Sequence, residues 1–234
     1  MSARPRMLVF AASIAAAAGV LAGSLGFCAE EARTPTLESG AAEAPRLREM
    51  ARATAGVPQH ENRIGRPGAS LRIVVYEDLG CRPCARATHT ALPGLVRRWV
   101  RPGAATLTFR PVAVLGRESR RRAQAALAAA EQGRMWPFLA LLRRRPPREG
   151  PGALGDARMH RVARALRLDL ADFERSSHGT GTAEPVRWDT LRVVRRGARA
   201  LPMLAMRGPL GVRVLEAPSP RALEAAIAAV GGLR

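Results

Sequence analysis

Cys81-Arg82-Pro83-Cys84 places two of the chain's three cysteines three residues apart. A pair at that spacing can clip a metal, close a structural bridge, or cycle between dithiol and disulfide. A structural zinc site takes four ligands, as two such pairs or one pair with two histidines. This chain has no second pair, His89 is the nearest third ligand, and His60, His160 and His178 are isolated and read as surface residues. No metal is therefore expected. A bridge between residues so close closes a very small loop and removes little entropy from the unfolded chain, so it stabilises little. Redox use needs a reactive thiolate, and the context supplies one. "SLRIVVYED" (70–78) is β-branched and apolar, which reads as a buried strand, and a helical stretch begins at the cysteine pair. Cys81 would then sit at a helix N-terminus, where free N–H groups and partial positive charge favour a thiolate. Arg82 and Arg86 add positive charge, and Pro83 suits a first helical turn. Cys84, one turn further on, is the expected buried thiol.

The elements that must hold this pair come in a simple order. The helix from the cysteines runs to about Val100 and breaks at Pro102-Gly103, and "ATLTFRPVAV" (105–114) reads as a second strand. A helical block comes next. It comprises 118–133 with Gly133 as its stop, 135–145, an amphipathic stretch at 156–168 with Met159, Val162, Ala163 and Leu166 on one face, "LADFERS" and "WDTLRVVRRG". "PMLAMRG" (202–208) and "GVRVLE" (211–216) read as a hairpin turning at Arg207-Gly208, and Pro220 to Val230 as a closing helix. Strand, helix, strand, helical block, hairpin and helix make one α/β domain with a helical insertion.

The first residues read as targeting. Arg4 and Arg6 precede an apolar run from Met7 to Phe27, and Glu30 and Glu31 come after it. That polarity favours export of the remainder of the chain, and the run is long enough to span a bilayer. Cleaved signal and uncleaved anchor both remain open, since Phe27 spoils the sites before Cys28 and Ala29. Residues 1–29 are thus a signal peptide or membrane anchor, 30–63 a linker with a short helix around Arg46 to Arg52, and 64–234 the domain, with its insertion at about 117–196. The exported side is a compartment in which disulfides persist. The net charge is +19, and all 38 basic residues are arginine. The arginines are scattered and Tyr76 is the only tyrosine, so the stacking platforms of a single-strand binder are missing and no nucleic-acid partner is expected.

"IGRPGASLRIVVYEDLGCRPC" resembles the opening of the DsbA-like branch of the thioredoxin superfamily, with a Gly/Pro-led entry, a strand, an Asp three before the motif, and Cys-x-x-Cys. "AQAALAAAEQGRMWPFLALL" is similar to that family's helical insertion, and "GARALPMLAMRG" to the loop that carries the superfamily's cis-proline. The resemblance covers residues 64–231. It implies a thioredoxin-like fold with a helical insertion, here preceded by an apolar signal or anchor helix, and an exported protein thiol–disulfide oxidoreductase without a cofactor. Catalytic roles carry over to Cys81 as nucleophile, Cys84 as resolving thiol and Pro202 as the cis-proline, and substrate contacts to Leu201, Arg82 and Pro83. The implied partners are cysteine-containing exported proteins and a membrane redox partner that recycles the dithiol, with a tether through residues 7–27. The chain departs from the family in three places. Val75 stands where many relatives carry a buried acid, Leu201 where Thr or Val is common, and Arg-Pro between the cysteines places proline as thioredoxin does. The rival reading is a non-enzymatic peptide-binding or assembly module on the same fold.

Overall fold

The structure is a computed structural model that describes residues 49–143 and 155–231. The apolar run at 7–27, Cys28 and the "PPREGPG" loop lie outside the described residues, and among those described no helix is long and apolar enough to cross a membrane.

A helix, α1, is described over 49–54, and two short strands come after it, β1 (Gln59–His60) and β2 (Arg63–Ile64). β3 (Leu71–Asp78) then leads into α2 (Arg82–Leu95), which passes into a π-helical turn over Val96–Val100. β4 (Ala105–Val112) precedes the helical block α3 (Arg117–Glu131), α4 (Met135–Arg143), α5 (Asp156–Ala165), α6 (Leu170–His178) and α7 (Thr180–Arg195). The hairpin of β5 (Met203–Gly208) and β6 (Gly211–Glu216) and the helix α8 (Pro220–Gly231) complete the fold.

The six strands form one sheet in the order β1-β2-β4-β3-β5-β6, with only β3 and β4 parallel. Strand side chains alternate between faces, and here the alternation separates two cores. Ile73, Val75, Leu107, Phe109, Leu204 and Met206 join the main core, with α2, α8 and the insertion. Tyr76, Val112 and Met203 join Val193 of α7 in a smaller one. α3 is the hub of the insertion and packs against α4, α5, α6 and α7. Its buried face is almost wholly alanine, from Ala123 to Ala130, and small side chains let several helices approach one axis closely. Gly133 ends it at φ 68°, with Arg134 N–H donating to the Ala129 carbonyl and Gly133 N–H to that of Ala130, both at 2.8 Å. That is the paired closure of a helix by a left-handed residue.

Several boundaries differ from expectation. The span read as linker carries α1, β1 and part of β2, and Met50, Ala53 and Val57 are buried in the main core. The packed unit therefore reaches N-terminal of residue 64. The hairpin turns at Pro209-Leu210, because Gly208 still pairs with Gly211. The second long strand stops at Val112, leaving Val114 and Leu115 exposed. α7 begins eight residues before Trp188 and runs through Pro185.

Candidate active site

The buried run of β3 delivers the cysteine pair to one end of the sheet, past the last residue of an interior strand. Cys81 is the N-cap of α2, in extended conformation, and its Sγ accepts the Cys84 N–H at 3.2 Å. A disulfide joins Cys81 and Cys84, with Cα atoms 5.3 Å apart. The two sulfurs are inequivalent. Cys81 is partly exposed, whereas Cys84 is only 1% exposed. Pro83 lies in the first turn of α2, where its missing N–H costs no hydrogen bond, and both it and Arg82 are exposed. The first turn of α2 contains no acidic residue that would offset the positive end of the helix from within.

Pro202 comes after a cis Leu201–Pro202 peptide bond, is buried, and immediately precedes β5. Register places it at the same end of the sheet, since Met203 pairs with Tyr76 of β3 and with Glu216 of β6. The Glu216 carboxylate accepts the N–H groups of Arg199 and Ala200 at 2.8 and 2.9 Å, and the Pro202 carbonyl accepts Ala217 N–H at 2.8 Å. These bonds shape the loop on either side of Pro202. Leu201 is partly buried against the smaller core.

Asp78 links the cysteine loop to its neighbour. Its fully buried carboxylate accepts Gly80 N–H at 2.7 Å through Oδ1 and Leu115 N–H at 2.9 Å through Oδ2. The loop after β4 is held again from α7, where Thr190 Oγ1 accepts Ala113 N–H at 2.9 Å. Asp189 beside it pairs with Arg110 of β4 at 2.9 Å. A Cβ at Gly80 would meet Ser119 Oγ at 2.6 Å and Arg122 Nη1 at 3.0 Å, so a side chain there would force those side chains to shift.

Beneath α2 lies a charged cluster that sequence reasoning did not assemble. Glu77 is fully buried, accepts the Thr88 hydroxyl at 2.5 Å and pairs with Arg143 of α4. Arg143 also lies 3.4 Å from His89 Nε2 and over the Phe109 ring. His89, by spacing the nearest third ligand to the cysteine pair, is instead 3% exposed against an ion pair. Burial raises the Glu77 carboxyl above the ordinary glutamate range, with Arg143 and Thr88 pulling the other way. Val75, where the resemblance puts a buried acid, is fully buried one strand step earlier on the same face. The buried carboxylate thus sits two residues further along β3. No group of three or more His, Cys, Asp or Glu able to hold a metal is present among the described residues.

A family model described as Thioredoxin matches residues 58–152. No curated protein sequence matches the chain. Among solved structures, the fold is similar to a thioredoxin-like oxidoreductase from Silicibacter pomeroyi DSS-3, at 21% identity and TM-score 0.57, over 77% of this chain and 95% of that one. It is similar to alpha-DsbA1 of Wolbachia pipientis, at 15% identity and TM-score 0.62, over 77% and 96%. It is also similar to oxidised BdbD of Bacillus subtilis, at 17% identity and TM-score 0.59, over 74% and 95%. The architecture is thioredoxin-like in its DsbA-type form.

Proposed function

We propose that this chain, a thioredoxin-superfamily protein of DsbA-like fold, is an exported thiol–disulfide oxidoreductase that exchanges disulfides with cysteine-containing substrate proteins. The observation that carries the reading is the inequality of the two sulfurs. One is partly exposed at the N-terminus of a helix whose first turn carries no acid, and the other is buried one turn behind it.

In the oxidising direction, a substrate thiolate attacks Cys81 Sγ and the Cys81–Cys84 bond breaks. Cys84 leaves with the electron pair and takes up a proton. A second substrate thiolate then attacks the substrate sulfur of the mixed disulfide and releases Cys81. The substrate loses two electrons and two protons, and the protein becomes a dithiol. The reverse sequence reduces a substrate disulfide. The helix N-terminus and the exposed Arg82 favour the thiolate of Cys81, which makes it the better leaving group and the nucleophile. Pro202 has no N–H to offer a thiolate, and Leu201 beside it presents backbone to an extended peptide. The apolar run at 7–27 supports export, with either a cleaved signal or a membrane tether, and a membrane redox partner would restore the starting state.

Equilibration of the purified protein with glutathione buffers tests this reading. A reversible two-electron couple should appear, and its potential assigns the direction between reductants near about −270 mV and oxidants near about −120 mV. A pair that stays oxidised across the whole range, with no mixed disulfide formed, would identify a non-enzymatic module.

A further inference from the structure

Three segments lie at the end of the sheet that carries the disulfide, and all three are cationic. Arg82 and Arg86 lie in the opening turns of α2, Arg117 opens α3, and Arg196 and Arg199 lie between α7 and Pro202. All five are exposed, and none is in an ion pair among the described residues, whereas Arg97, Arg121 and Arg187 elsewhere are paired with Glu49, Asp156 and Glu184. Two exposed carboxylates lie in or against these segments, Glu118 in α3 and Glu216 in β6, and both are engaged. Glu118 lies 3.9 Å from Arg122, and Glu216 holds the backbone before Pro202. The chain thus leaves net positive charge around the one sulfur that a substrate can reach. Leu115, 59% exposed, and Val114, 42% exposed, lie beside it on the loop that Asp78 fixes to the cysteine turn.

We propose that this end of the sheet selects substrates, by docking polypeptide segments that carry acidic residues on either side of the reacting cysteine. The inference rests on the exchange reaction proposed above. Arg117 at the start of α3 follows the loop that Asp78 holds, Arg199 lies in the loop that Glu216 holds before Pro202, and both steer such a segment before any covalent step. Opposite charge around a reactive site raises encounter rates by factors of about 10 to 1,000.

The test uses the full chain, oxidised, and two reduced peptides that differ only at the two residues on each side of cysteine, all Asp or all Arg. Each rate of exchange is divided by the same peptide's rate with a small neutral disulfide, which removes the peptide's own thiol reactivity. At low salt the acidic peptide should react faster by about tenfold, and the gap should close at about 0.5 M salt, where exposed charges are screened. Arg117→Glu with Arg199→Glu should erase the preference, while Arg134→Glu with Arg164→Glu, the same change in net charge at exposed positions elsewhere, should keep it. Should the double variant fail to fold, the salt dependence of the wild type decides. Equal, salt-independent ratios for the two peptides, both well above that of the small disulfide, would overturn the inference and leave the exchange reaction standing. Failure of both peptides to react faster than they do with the small disulfide would remove the exchange reaction itself. Loss of binding to anionic vesicles in the charge-reversed variant, with peptide preference intact, would reassign the face to a membrane and overturn the proposal.

Discussion

Cys84 is walled off from solvent and Cys81 is not, so only one sulfur can take a partner. Cys84→Ala should therefore accumulate mixed disulfides through Cys81, visible as high-mass species on non-reducing gels that vanish on reduction; Cys81→Ala should not form them. Glu77 makes a different kind of claim. Its carboxyl holds a proton more tightly in the fold than in the unfolded chain, chiefly because burial penalises the charge. Between the ordinary glutamate value of about 4.3 and the raised one, the folded state keeps a proton that the unfolded state has lost. That contribution to stability is complete below about pH 4.3 and is lost as pH rises through the raised value. Wild type should accordingly lose stability relative to Glu77→Gln as pH rises from about 4 toward neutrality, measured by urea unfolding. A difference that moves the other way would mean that Arg143 outweighs desolvation.

At the level of elements, glycine positions give the sharpest test of how the hairpin and closing helix meet. A Cβ on Gly208 would fall 2.3 Å from the Val230 carbonyl oxygen, which is backbone and cannot swing aside. Gly208→Ala should destabilise by about 1–3 kcal/mol, the usual cost of overpacking, while leaving Cys81 alkylation after reduction unchanged. The β3–α2 junction, the Gly133 stop and the Pro202-led hairpin were legible in the sequence, because each is signalled by neighbours a few residues apart. Other features had no such local signal. β1 and β2 are two residues each and too short for alternation to register. Val114 and Leu115 look like more strand, but the N–H groups of Ala113 and Leu115 go to Thr190 Oγ1 and the Asp78 carboxylate instead of to a neighbouring strand. Glu77 and Arg143 are 66 residues apart, and no local pattern announces their pairing. The burial of His89 goes with that pair, since a histidine's exposure depends on what its helix face meets.

For the whole molecule, the topological expectation is decided by the segment at 7–27. Alkaline phosphatase fused after residue 45 should be active outside the cytoplasm and inactive once residues 7–27 are deleted; an inactive fusion with the segment intact would end the export reading. The described part of the chain has a further property that stems from Arg143. This residue belongs to the insertion, yet its guanidinium pairs with Glu77 on the central strand and lies over Phe109, whose ring meets Trp136 of the insertion edge-on at 6.0 Å between centroids. The insertion is therefore fastened to the sheet by charge and by ring packing under the same helix. Two modules joined only through their backbones would exchange their amide hydrogens independently, the less stable one opening alone. Here the slowest amides of α3 and α4 should share one opening free energy with those of β3 and β4, and should lose that common value together in Arg143→Met.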